Sequence, residues 1–183
     1  MERQGFLGRR DWVYGLLKAL VFGSLFRFMH YWYEWWPNPV TAILSGTGES
    51  IFQHFKIGFW ALFIIVAVEA PLLGRRLGWR AFSASRAMSL VLVSWLNFLI
   101  WYAVLGFGPL PEGAGELAVV IGMVFVMGFM IWALERETEA FVWSTRGLVT
   151  LAIVLALTVW VLVAWRWQAI VPTADVFAAP LAP

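Results

Sequence analysis

The chain has 183 residues, of which 62% are hydrophobic, 13% are charged and none is cysteine. A soluble domain carries about 25% charged residues, so this composition excludes an ordinary soluble enzyme or binding module. The lack of cysteine excludes disulfides, Cys-ligated zinc, iron–sulfur clusters and thiol catalysis.

The length suits one domain, and the mean hydropathy of +0.79 indicates a chain solvated by lipid. Five stretches are long and apolar enough to cross a bilayer, which takes about 20 residues each. They cover 12–36, 51–73, 84–106, 117–134 and 148–167. Each is expected to be helical, because an open strand leaves backbone polar groups unpaired in hydrocarbon. The connections carry breakers: Pro37 and Pro39, then Gly74 and Gly78, then Pro109 and Pro111. The fourth connection is read as the charged run ERETE at 135–139. The expected fold is an all-α integral membrane bundle of five transmembrane helices at 1–167. An irregular extracytoplasmic tail is expected at 168–183, where Pro172, Pro180 and Pro183 fall.

The basic residues set the expected orientation. Arg3, Arg9, Arg10, Arg75, Arg76, Arg80, Arg86, Arg136 and Arg146 fall on one side, with Lys18 near them, against Lys56 and Arg166 on the other. Cytoplasmic flanks collect Lys and Arg, so the N-terminus is expected inside and the C-terminus outside, in a cell (cytoplasmic or inner) membrane. This topology accounts for a pI near 9.3 without a nucleic-acid partner. The first span contains Arg27 and His30 and no A-x-A site follows it, so it reads as a retained helix and not as a cleaved signal peptide. Tyr31, Trp32, Tyr33, Trp35 and Trp36, and later Trp165 and Trp167, cluster at span ends as an interfacial aromatic belt does. A cofactor or carotenoid shelf is the alternative. No internal repeat supports an inverted-repeat transporter.

Polar groups inside a bilayer are costly and need a reason. In the first span Arg27, His30 and Glu34 share one helical face. Asn97 in the third span lies at the depth of Arg27, with Ser94 and Trp101 nearby. Arg27 either snorkels or locks two helices together, or it belongs to a substrate or ion site. The second span opens with TGESIFQHFK. There Thr47 or Ser50 is a cap candidate, Glu49 suits the positive helix end, and Gln53 is placed for a capping box. His30, Glu34, Glu49, His54 and Lys56 thus gather in one outer layer. Two imidazoles and two carboxylates are sufficient in type for a divalent metal, with His30, Glu34, Glu49 and His54 as candidate ligands. They also suffice for acid–base catalysis by Glu34, Glu49 or His54. No recognised metal signature is present, and the set is explicable without chemistry as a structural hydrogen-bond and salt-bridge cluster, with a ligand or proton site without metal as the further alternative. No nucleotide cofactor is expected. Glu69 lies apart, near the inner end of its span, placed to pair with Arg75, Arg76 or Arg86 or to accept from Ser89. Ala118 and Gly122 form a small-xxx-small step. The apolar fourth and fifth spans face lipid or other membrane subunits.

The residues HYWYEW, NP, GES-x-x-x-HFK and the later VE resemble a family of small bacterial and archaeal multi-pass membrane proteins defined only as a domain of unknown function. The likeness covers 28–74, with a looser echo to Gly106. It falls on His30, Tyr33, Glu34, Trp35, Asn38, Pro39, Glu49, Ser50, His54, Lys56 and Glu69. Gly48 stands where that family tends to have Asn, and Gln53 where it tends to have Glu. The resemblance implies a shared polar layer and supplies no reaction. Three functions are compatible with the sequence: a non-catalytic accessory subunit or binding protein, a membrane-embedded enzyme acting on a lipid-phase substrate, and a proton-coupled transporter using Arg27, Glu69 and Asn97 as an oligomer.

Overall fold

The computed structural model describes residues 9–47, 51–108 and 113–164. Among them the chain is all-helical. Its elements are α1 (Arg9–Trp35), α2 (Pro39–Leu44), α3 (Ile51–Leu77), α4 (Trp79–Leu105), α5 (Ala114–Glu139) and α6 (Thr145–Ala164). Five helices, α1, α3, α4, α5 and α6, are long and apolar enough to cross a membrane. The tail at 168–183, Glu49 and Ser50 lie outside the described residues.

Three features of the connections differ from the sequence reading. Gly74, read as a breaker, lies inside α3. The ERETE run is not a connection: it forms the last turns of α5, which continues through Glu139. Buried salt bridges described below hold this charged end inside the bundle, so it need not unwind into solvent. The NP segment, read as a breaker, begins the short helix α2. Asn38 caps it by accepting from the N–H groups of Val40 and Thr41, and the Thr41 hydroxyl accepts from the Asn38 N–H. This is a capping box with Pro at the first helical position, where no N–H is needed. The α3–α4 connection is equally compact. Gly78 alone lies between the two helices, at φ 83°, a conformation that glycine adopts without Cβ strain.

The helices form a ring of four. α1 packs on α3 and α5, and α4 packs on the same two, so α1 and α4 face each other diagonally. α6 sits outside the ring against α4, with Val149, Ile153, Leu157 and Trp160 exposed on its outer face.

Helices in lipid gain little from hydrophobic exclusion and rely on close packing. Such close packing is seen between α1 and α5. A Cβ added at Gly15 would lie 2.5 Å from the Trp132 ring, and one at Gly128 would lie 2.9 Å from the Ala19 Cα. The operative small residues are therefore Gly15, Ala19 and Gly128. The step anticipated at Ala118 and Gly122 is not a seam: both residues are away from the core, and a Cβ at Gly122 meets nothing within 4 Å. One turn beyond Ala19 the two helices separate, and an added Cβ at Gly23 would find Val124 only at 3.8 Å.

Inside the ring, Phe22 and Phe26 of α1, Leu62 and Ile65 of α3, Leu90 and Val93 of α4, and Met127 and Ile131 of α5 form one buried apolar layer. It divides the interior into two polar regions of different kinds.

Candidate functional site

The first region is closed. Each helix of the ring contributes charged groups: Lys18 from α1, Glu69 from α3, Arg86 from α4, and Glu135 and Glu139 from α5. Lys18 donates to Glu69 at 2.6 Å and also to Glu135. Arg86 donates through Nε to Glu69 at 2.7 Å and through a terminal nitrogen to Glu139 at 2.6 Å. The Tyr14 hydroxyl donates to Glu69. The guanidinium also lies over the Phe82 ring, 4.9 Å from its centroid. Isolated charges in a bilayer are expensive, so five paired charges at one level join four helices and penalise any arrangement that separates them.

Sequence reasoning anticipated the Arg86 partner of Glu69 but missed most of this layer. Arg75, Arg76 and Ser89 are not its partners. In the sequence Lys18 reads only as a topological charge, and Glu135 and Glu139 read as part of a connection. The signal was present, since Gly128, Trp132, Glu135 and Glu139 follow one helical stripe at intervals of four, three and four.

The second region is open. A cavity of about 800 Å³ lies between α1, α4 and α5, with α3 contributing His54. Its polar end carries Arg27, His30, His54, Asn97 and Glu116, and its deeper wall is apolar, with Ala19, Gly23, Val124 and Met127. The helix directions explain this order. Residues near the end of α1, the start of α3, the end of α4 and the start of α5 all fall at one end of the bundle. Arg27 and Asn97 each lie eight residues from their helix ends, about 12 Å deep at 1.5 Å per residue. They line the same cavity, and among the described residues they do not bond each other. Arg27 stacks on the Tyr31 ring at 5.5 Å and has no carboxylate partner among the described residues. Trp101 lines this cavity too, whereas Ser94 bonds the Phe55 carbonyl at 3.4 Å.

The two histidines meet at this end. His30 Nε2 lies 3.2 Å from His54 Nε2, so one ring must donate and the other accept. Phe26 stacks on His54, and Tyr31 contacts His30. Of the other residues of the expected outer layer that the structure describes, Lys56 bonds the Ala42 carbonyl instead. Glu34 is exposed and does not line the cavity, and Glu49 lies outside the described residues. Among the described residues no three His, Cys, Asp or Glu side chains gather as a metal site requires.

Lys56 is buried, and its ammonium donates to the Ala42 carbonyl at 2.8 Å, in the last turn of α2. A cation there offsets the negative helix end. The Ser45 hydroxyl donates to the Met29 carbonyl and accepts from the Tyr33 N–H, two groups that a helical turn pairs with each other. Asn38, Pro39 and Lys56, three positions of the family likeness, thus build and anchor α2. Gln53 accepts from the Thr47 N–H at 3.3 Å.

Comparison with protein-family models, with curated proteins and with solved structures gives no match. The functional reading therefore stands on the geometry.

Proposed function

We propose that this is a non-catalytic membrane-embedded binding protein whose cavity takes an amphiphilic molecule from the lipid phase. The observation that carries this reading is the cavity of about 800 Å³, apolar toward the middle of the bundle and polar toward one face. Ligand sites of a few hundred to 1,000 Å³ with few, convergent polar groups are the usual form for small molecules. The Lys and Arg distribution supports an N-terminus in the cytoplasm, which puts the polar end of the cavity at the outer face of a cell membrane. The bare outer face of α6 suits a neighbouring membrane subunit.

The test is retention of a lipid-phase molecule by the protein purified in mild detergent, read by native mass spectrometry. Gly23→Trp places an indole in the cavity without a close backbone contact. Wild type is expected to retain one bound molecule and Gly23→Trp to lose it. Equal retention by both, or none by either, overturns the reading.

A second reading is an enzyme acting on a lipid-phase substrate, favoured by the His30–His54 contact on the cavity wall. Unchanged turnover of membrane substrates in His54→Ala would remove it. The transporter reading requires a polar path between Arg27 and Glu69, and the buried layer of Phe22, Phe26, Leu62, Leu90, Val93, Met127 and Ile131 counts against one.

A further inference from the structure

Among the described residues, the cations buried in the bundle have internal partners: Lys18 and Arg86 have carboxylates, and Lys56 has the end of α2. Among the described residues Arg27 has only the Tyr31 ring. A guanidinium about 12 Å below a helix end is costly without a counter-charge, and its planar donor fork matches phosphate oxygens. Glu116 is the one carboxylate lining the same cavity among the described residues, and it forms no ion pair with Arg27. It lies two residues from the start of α5, about 3 Å from that helix end, and so nearer the membrane face than Arg27.

From depth to surface the cavity therefore presents an apolar wall, then a cation, then an anion. We infer that it binds a phospholipid whose headgroup ends in an ammonium group. Its acyl chain lies along Gly23, Val124 and Met127, its phosphate meets Arg27, and its ammonium meets Glu116. This order of charges is that of a zwitterionic headgroup of ethanolamine or choline type. A phospholipid ending in a neutral glycerol satisfies Arg27 with its phosphate and leaves Glu116 without a counter-charge. The inference rests on the binding reading above and specifies its ligand.

The experiment titrates the delipidated full-length protein in detergent with phosphatidylethanolamine, phosphatidylcholine and phosphatidylglycerol of identical chains, with occupancy read by native mass spectrometry. Wild type is expected to prefer the two ammonium lipids over phosphatidylglycerol by about tenfold, the scale of one charge-assisted contact. Glu116→Gln is expected to abolish that preference while phosphatidylglycerol still binds. Arg27→Gln is expected to weaken all three lipids together, and Arg27→Lys to recover part of the loss. Both residues are exposed, so neither substitution disturbs the packed core. Equal binding of the three lipids, or a preference that survives Glu116→Gln, overturns the headgroup assignment and leaves the binding reading in place. Absence of any stoichiometric lipid on wild type overturns both.

Discussion

Lys18 of α1 and Glu135 of α5 form an ion pair closed to the surroundings on both sides, each side chain 1% exposed. The pair sits in a layer with three carboxylates, Glu69, Glu135 and Glu139, and two cations, Lys18 and Arg86. The formal charges make the consequences of substitution asymmetric. Lys18→Met leaves three carboxylates to one cation and is expected to cost about 3–5 kcal/mol. Glu135→Gln leaves two of each sign and should cost less. Lys18→Met/Glu135→Gln should recover part of the Lys18→Met loss. Reversible unfolding of the four proteins in detergent, treated as a double-mutant cycle, checks the order. Equal costs for the two single variants would contradict it.

The α1–α5 seam gives a second expectation. Gly128→Val drives a side chain into the Ala19 backbone, which has no room to move, and overpacking of this kind costs about 1–3 kcal/mol. Gly122→Val points into open space and should leave stability within about 0.5 kcal/mol of wild type. The same unfolding measurement compares them.

Helix α2 depends on its two ends. Asn38→Ala removes the acceptor for the Val40 and Thr41 N–H groups and is expected to cost about 1 kcal/mol. Lys56→Met removes the donor to the Ala42 carbonyl. Hydrogen exchange in both variants should quicken at Val40–Leu44 while the ring helices keep their protection.

The histidine contact makes a spectroscopic prediction. With the two Nε2 atoms 3.2 Å apart, one must carry the hydrogen and the other must not. Nitrogen-15 spectra of the ring-labelled protein should show one protonated and one bare Nε2. His54→Phe removes one of the two chain histidines, and the Nε2 signal of His30 should then move from its wild-type position. Two identical Nε2 signals in wild type would contradict the contact.

Hydropathy alone determined the five apolar helices, because hydrocarbon admits only segments that satisfy their own backbone, and a span of that kind needs no distant partner to be recognised. Sequence depth also placed Arg27 level with Asn97, because rise per residue is fixed in a helix. Which faces met was beyond it. The choice of neighbours put Lys18, Glu69, Arg86 and Glu135 in one layer, and it drew ERETE into α5, because a charge inside a bundle is tolerable only against a partner that the linear chain does not identify. The cavity arose for the same reason. Gly15 and Ala19 let α1 and α5 touch, Gly23 lies where they part, and the space between is set by crossing geometry that no single helix encodes.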